Sequence, residues 1–296
     1  MRAEAVWVAA LTLACSGCAT TLSTLQTGEV VDVGQVQVTG GAGAYAALGP
    51  VRTLVDQGIR QAAALDEARR SGQPYTLSQQ AQRELLTAAI ALAVMPPSVG
   101  WEFSARTGVW SDRMDAGLRY SISAVRLDTR YQILHRRGAD DAPGAPSRGV
   151  DLAVGLGVSR YLFDNPLLDV LEYVQLGDFS RWDFEAPLVA SFAVGEVLQL
   201  YGGLRYVFST TSLDAKLIDS ALQAGASSGV DLSLPPTVHT HYLGAAAGVA
   251  VGYRWVRLMA ELNGGYTLCD PILFGQRRRL GGPTVYPAVG IGLKFP

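Results

Sequence analysis

Long stretches of this chain alternate between apolar residues and small or charged residues with a period of two. The clearest run extends from Ser98 to Arg136, where three alternating segments follow one another with short interruptions. Successive side chains of a β-strand point to opposite faces, so this period predicts strands. The segments are about ten residues long, whereas strands of soluble proteins usually have five or six. Ten alternating residues are enough for a tilted strand to cross a bilayer in a closed barrel.

The same alternation recurs to the end of the chain and predicts about ten strands. A weaker, Gly- and Ala-rich strand over 35–46 precedes the main run, and six alternating segments follow it, beginning near Val150, Phe184, Leu198, Leu243, Val256 and Val285. We therefore predict an all-β fold, an antiparallel transmembrane β-barrel. Pro187 and Pro287 interrupt two of these strands and predict β-bulges, because proline cannot donate a ladder hydrogen bond. Long connections are predicted at one end of the barrel and mostly short turns at the other.

Residues 47–97, between the first two strands, change to a helical period. Val51, Leu54 and Ile59 recur at helical spacing before Ser71, and Leu77, Ala81 and Leu85 do so after Pro74. The pattern predicts an inserted helical hairpin. It could plug or cover the barrel or lie on the membrane surface, and the simpler interpretation is a helical loop packed on the barrel rim.

The first 17 residues have the form of a secretory signal. A short apolar stretch follows Arg2 and is too short to span a membrane as a helix. Ser16-Gly17-Cys18 is typical of a bacterial lipobox, in which the cysteine is acylated and becomes the first residue of the mature protein. We predict a lipoprotein signal peptide over 1–17, a linker over 18–34 and a barrel over 35–296, with Cys18 carrying the lipid. The alternative is an ordinary signal peptide with two incidental cysteines.

The residues after Cys18 also carry a resemblance. Gly17-Cys-Ala-Thr-Thr-Leu-Ser-Thr-Leu-Gln-Thr-Gly28 resembles the start of uncharacterised outer-membrane β-barrel lipoproteins of Gram-negative bacteria, and Met114-Asp-Ala-Gly-Leu-Arg-Tyr120 resembles their second hairpin. Gly28-Glu29 departs from the family, which often has a basic residue there. The resemblance implies sorting to the outer membrane with an N-terminal lipid anchor, and no catalytic motif. Phe295 near the C-terminus resembles the signal read by the outer-membrane assembly machinery, although Pro296 follows it.

Composition supports this class and excludes others. The 296 residues include 33 glycines, only 17% are charged, and the net charge is −2, so nothing favours nucleic-acid binding. No segment after the signal has eighteen consecutive apolar residues. Cys18 acylation would leave Cys269 as a single thiol of the mature chain, without a disulfide partner.

Candidate chemical motifs are weak. The Gly-rich run over 38–43 imitates a dinucleotide fingerprint but lacks a parallel βαβ unit. His239 and His241 share one strand face without a third metal ligand nearby. Ser227-Ser228 does not form a nucleophile elbow. We therefore predict no catalytic residue, no cofactor and no metal.

Charged side chains on the inward face of the predicted strands form the one candidate site. Mixed charges in a low-dielectric interior should pair, which predicts an ion-pair network that fills a narrow barrel; the alternative is a polar path for a small solute. The members of this predicted lumen network are Glu102, Arg106, Asp115, Arg119, Arg126, Asp128, Arg130, Arg205, Arg257 and Glu261, with Asp151, Glu185 and Lys294 on the same face.

The sequence as a whole predicts an outer-membrane β-barrel lipoprotein with a structural or interaction role and no enzymatic activity. A narrow channel or carrier for a small solute or lipid is the first alternative, and a membrane-embedded lipid-modifying enzyme is the second. A soluble periplasmic sandwich is a structural rival. The expected partners are membrane lipids and the assembly machinery, and the sequence names no other protein partner.

Overall fold

Ten long antiparallel strands close into a barrel in the described part of the computed structural model. The structure describes residues 22–48, 98–121, 123–137, 148–162, 180–195, 197–213, 233–253 and 255–296, with isolated residues between 53 and 91. The barrel strands are β1 (Val36–Ala47), β2 (Ser98–Gly108), β3 (Met114–Ser121), β4 (Ala124–Arg137), β5 (Arg148–Tyr161), β6 (Ser180–Val194), β7 (Leu198–Ser212), β8 (Thr237–Tyr253), β9 (Val256–Leu268) and β12 (Gly282–Phe295). Between β9 and β12, β10 (Ile272–Leu273) and β11 (Gln276–Arg277) form a small hairpin.

The ring closes between the first and last barrel strands, where Val36 pairs with Phe295 and Ala47 with Thr284. Each of the other barrel strands pairs with its neighbours in the chain, so the sheet has no open edge. The prediction of an antiparallel barrel of about ten strands is confirmed, and a sandwich of two stacked sheets is excluded. Closure also satisfies the backbone polar groups without water, which is the condition for crossing lipid.

The bulges predicted at Pro187 and Pro287 are wrong. Pro187 pairs with Arg205 and Pro287 with Leu262 in unbroken register. The described register shift lies instead between Gln132 and Leu134, where β4 pairs with β5. A strand tolerates proline without a bulge where its missing N–H is not needed by the ladder.

The wall of the barrel is apolar outside and polar inside. Phe103 and Leu127 point outward and are 55% and 58% exposed, whereas Arg106 and Asp115 point into the lumen and are 4% and 0% exposed. Inverted exposure of this kind leaves the outward hydrophobic side chains of the wall without protein to pack against. Among the described residues, no helix is long and apolar enough to cross a membrane.

The two ends of the barrel differ in their connections. One end, named here the long-loop end, carries the connections 48–97, 122–123, 162–179, 213–236 and 269–281. The opposite end, named the short-turn end, carries 109–113, 138–147, 195–197 and 254–255 together with the start of β1 and the C-terminus. The predicted helical hairpin over 47–97 lies mostly outside the described residues and stays a prediction.

The residues that precede β1 in the sequence lie inside the barrel. Leu22–Asp32, named here the lumen segment, lies inside the ring, and most of its residues are buried. At the short-turn end the chain reverses direction: Gln35 donates to the Asp32 carbonyl at 3.1 Å, and Gly34 has a φ of +86°. Glycine adopts this left-handed conformation without steric cost. After this turn the chain continues into β1 in the wall.

Candidate functional site

A chain of ion pairs runs around one side of the lumen. Its members are Asp115, Arg106, Asp128, Arg126, Glu185 and Arg205, each paired with the next, from strands β2, β3, β4, β6 and β7. Period-two alternation brings them together, because every member occupies an inward position of its strand. All six are nearly fully buried. A buried charge is tolerated when it is paired, so the chain keeps this side of the lumen charged but neutralised.

Two further carboxylates face the lumen segment. Glu261 of β9 accepts three hydrogen bonds from this segment. Thr24 donates its backbone N–H at 2.8 Å and its hydroxyl at 2.7 Å, and Leu25 donates its backbone N–H at 2.8 Å. Glu102 of β2 accepts the Ser23 hydroxyl at 2.5 Å. Asp115 also reaches this segment, because it accepts the Val31 N–H at 3.0 Å. These charge-assisted hydrogen bonds satisfy backbone donors that no sheet neighbour satisfies.

Arginines of the wall bind the carbonyls of the same segment. Arg205 donates to the Leu22 carbonyl at 2.5 Å, and Arg119 donates to the carbonyls of Ser23 at 2.5 Å and Thr24 at 2.7 Å. Arg130 donates to the carbonyls of Thr27 at 2.7 Å and Glu29 at 3.1 Å. The wall therefore binds both the N–H groups and the carbonyl groups of the lumen segment, so it recognises the main chain of that segment.

Glycines shape the wall around this segment. A Cβ at Gly41 of β1 or Gly290 of β12 would lie 2.4 or 2.8 Å from a Leu25 methyl group, so their absence leaves a niche that Leu25 fills. Gly28 lies against β5 and β6, where an added Cβ would be 2.9 Å from the carbonyl oxygens of Asp151 and Val189. The glycine run of β1 thus serves close packing, and the dinucleotide interpretation gains no support.

The long-loop end of the lumen is closed by apolar side chains. Leu22 and Leu25 belong to one buried cluster with lumen tyrosines and with residues from the connections, among them Ile90, Ala91, Leu213, Leu234, Leu273 and Leu280. The cavity beside Leu22 has a volume of ≈ 20 Å³, room for about one water molecule. Within the described residues, the lumen segment and this cluster together fill the barrel.

The structure places the predicted lumen residues as follows. Those from Glu102 to Arg130, with Arg205 and Glu261, are buried in the lumen. Arg257 lies at the short-turn end, 3.6 Å from the Glu29 carboxylate, and Lys294 is 3.4 Å from it. Asp151 accepts hydrogen bonds from Gln132 at 2.9 Å and lies 2.6 Å from His135 Nδ1.

The remaining candidates contribute no site. His239 and His241 point outward beside Phe208, with ring centroids at 5.6 and 5.2 Å. The described residues contain no cluster of three or more metal-ligating side chains. Cys269 is a buried free thiol directly after β9. Cys18 and the Ser227-Ser228 pair lie outside the described residues.

Sequence reasoning missed the lumen segment, because 18–34 was interpreted as a linker. Its contacts join residues up to 265 positions apart, and no local period marks them. One signal was present: glycines occupy several positions of β1 and β12. Glycine has no side chain, so the lumen next to β1 and β12 is left with space that another segment of the chain must fill.

No protein-family model and no curated protein matches the chain. Among solved structures, Neisserial surface protein A is similar, with 12% identity and a TM-score of 0.31 over 88% of this chain and 96% of that chain. Ail, the attachment invasion locus protein of Yersinia pestis, has 8% identity and a TM-score of 0.29 over 88% and 97%. OprG from Pseudomonas aeruginosa has 9% identity and a TM-score of 0.29 over 90% and 98%. Likeness at these TM-scores carries no functional argument.

Proposed function

We propose that this protein is a closed outer-membrane β-barrel lipoprotein with a structural or interaction role, and that its own N-terminal segment keeps its lumen shut. One observation carries the proposal: Leu22–Asp32 is hydrogen-bonded along its backbone inside a closed ring whose outer face is apolar. An apolar exterior on a closed antiparallel sheet fits lipid as its surroundings. A lumen filled by protein leaves no route for a solute.

The asymmetry of the two ends supports an orientation. Outer-membrane barrels have short turns on the periplasmic side and longer loops outside. By that rule the short-turn end, with the C-terminus, faces the periplasm, and the long-loop end faces the cell exterior. The 47–97 insertion, proposed as a helical hairpin, would then lie at the outer mouth, and the buried Ile90 and Ala91 in the apolar cluster support that place.

Planar-bilayer recording tests the closed lumen. The refolded barrel should be electrically silent, and the same barrel lacking residues 22–32 should conduct ions. The deletion removes the backbone groups of 22–32 that Arg119, Arg130 and Glu261 bind, so water must enter to replace those hydrogen bonds. Steady conductance of the full chain would overturn the closed-barrel proposal and favour the channel alternative. Silence of the deletion variant, with heat-modifiable gel mobility showing that it is folded, would show that another element closes the lumen.

The proposed lipid anchor and the absence of catalysis need separate measurements. Mass spectrometry of the N-terminal peptide should find Cys18 as the first residue and acylated, and a Cys18→Ser variant should lose the modification. Lipid analysis of a deletion strain should show no altered lipid species. A consistent change in one lipid class would favour the enzymatic alternative.

A further inference from the structure

A basic hairpin is fixed to the rim of the barrel at the long-loop end. β10 and β11 are joined by Phe274 and Gly275, whose φ angles of +55° and +71° are those of a tight two-residue hairpin turn. The Phe274 N–H donates to the Ser233 carbonyl at 2.9 Å. Leu273 and Leu280 are fully buried in the apolar cluster that closes the lumen. The hairpin is therefore held to the barrel both before and after the three arginines that it carries.

These three arginines, Arg277, Arg278 and Arg279, follow one another and are exposed. The Arg278 N–H donates to the Pro271 carbonyl at 2.9 Å, which continues the hairpin ladder beyond β11. Alternation therefore places Arg277 and Arg279 on one face of the hairpin and Arg278 on the other. The ion pairs of the described residues include none of the three. Asp270 is the single acidic residue between β9 and β12, so this connection is positively charged.

Arg279 lies against the outer wall of the barrel. Its guanidinium is over the Tyr266 ring, 5.9 Å from the centroid, and donates to the Tyr266 hydroxyl. Tyr266 occupies an outward position of β9, between Leu243 of β8 and Pro283 of β12. A guanidinium has five N–H donors, so Arg279 keeps donors for a further acceptor while Tyr266 holds it in place.

Exposed apolar side chains lie beside these arginines. Ile272 pairs with Arg277 and is 61% exposed, and Leu268, the last residue of β9, is 57% exposed. Exposure of this extent is typical of the lipid-facing positions of the wall, among them Leu243. Tyrosine gathers at the boundary between hydrocarbon and headgroups. This face of the hairpin therefore lies at the level of the lipid headgroups, on the outer side of the membrane in the orientation given above.

From these contacts we propose that Arg277 and Arg279 bind the phosphate of a lipid headgroup in the outer leaflet, with Tyr266 positioning Arg279. The inference rests on the proposed membrane orientation and extends it. Residues two apart on a strand are about 7 Å apart, a gap that two long side chains close around one phosphate, and guanidinium donors fit phosphate oxygens in pairs. The acyl chains of a lipid would also cover Ile272 and Leu268, which a soluble anion would leave exposed.

Native mass spectrometry of the refolded protein in detergent micelles tests the site. Phosphatidic acid carries both a phosphate and acyl chains, diacylglycerol lacks the phosphate, and glycerol 3-phosphate lacks the chains. The wild-type protein should bind phosphatidic acid more tightly than either of the other two probes. The double variant Arg277→Gln/Arg279→Gln should bind phosphatidic acid about 30-fold more weakly, because each arginine near an anionic lipid surface contributes about fivefold.

Two further variants separate a built site from general attraction. Arg136→Gln/Arg137→Gln is the matched control, because these exposed arginines end β4 at the short-turn end and the variant changes the net charge equally. It should keep the wild-type affinity for phosphatidic acid. Tyr266→Phe keeps every charge but removes the hydroxyl that holds Arg279, and should weaken binding by less than the Arg277→Gln/Arg279→Gln variant. Heat-modifiable gel mobility verifies that each variant is folded.

Each outcome addresses one part of the proposal. Equal losses of affinity in the two double variants would show unspecific attraction and overturn the site. Binding of glycerol 3-phosphate as tight as that of phosphatidic acid would overturn a lipid as the ligand, and wild-type affinity of Tyr266→Phe would overturn the positioning role. A protein that stays monomeric in solution without detergent would instead contradict the outer-membrane barrel, whatever its affinity for phosphate.

Discussion

Glu261 offers the sharpest test of how the barrel holds its lumen segment. One carboxylate oxygen accepts the Thr24 N–H and the Asn263 side-chain amide, and the other accepts the Thr24 hydroxyl and the Leu25 N–H. Glu261→Gln keeps the shape and replaces one oxygen by an NH₂ group. The Thr24 hydroxyl can turn and accept from the new amide, but the Leu25 N–H, if it faces NH₂, has no acceptor left.

The size of the effect follows from these bonds. A buried N–H without a partner costs about 1–3 kcal/mol, and loss of charge weakens the remaining bonds by about 1 kcal/mol more. Glu261→Gln should therefore lower the free energy needed to release the lumen segment from the wall by about 2–4 kcal/mol. Because 1.4 kcal/mol is a factor of ten, the population of the released state should rise about 30- to 700-fold.

Hydrogen–deuterium exchange in detergent micelles measures this population. Amides of 22–32 should exchange faster in Glu261→Gln by that factor, while amides of the barrel strands keep their wild-type rates. Glu29→Gln is the matched control: its carboxylate lies at the short-turn end, 3.4–3.6 Å from Lys294 and Arg257, and is partly exposed. Such a pair contributes under about 1 kcal/mol. Equal exchange in wild type and Glu261→Gln would refute the reasoning.

Three further changes address the lipid face, the thiol and the packing of the segment. Leu156→Arg places a charge on an outward position that is 66% exposed. It should lower the free energy of unfolding in vesicles by about 2–4 kcal/mol. A urea titration in which the free energy of unfolding is unchanged would contradict a lipid-facing wall. Burial raises the pKa of the Cys269 thiol to about 11 from 9.0, so at pH 8 a disulfide reagent should react about 100-fold more slowly with folded than with unfolded protein, and equal rates would show an exposed thiol. Gly28→Ala should accelerate exchange in 22–32, since its methyl group meets rigid backbone of β5 and β6; unchanged exchange would mean that the segment shifts without release.

The wall of this barrel could be predicted from the sequence, and its contents could not. Alternation is a local property, so the period alone assigns the apolar positions of each strand to the outer face, and the structure exposes Trp101, Phe103 and Leu127 there. The register shift in β4 was missed because a bulge depends on the partner strand as well as on its own residues. The lumen segment was missed because its partners, such as Glu261 for Thr24, are distant in sequence and bind backbone atoms, which any residue type supplies.

The charged residues of the lumen fall into two groups: some pair with one another in the wall, and others bind the lumen segment. Within the described residues, Asp128, Arg126 and Glu185 are paired with one another or with further wall residues, as the sequence interpretation proposed for a filled barrel. Glu261 and Arg119 differ: the short bonds of Glu261 go to Thr24, Leu25 and Asn263, and Arg119 holds two carbonyls closely while Glu102 is 3.4 Å away. Removal of the segment would take away most of the hydrogen-bond partners of these two buried groups, which costs several kcal/mol unless water replaces the segment. The wall is therefore built to contain a peptide backbone, and an empty version of this lumen would have to be wet.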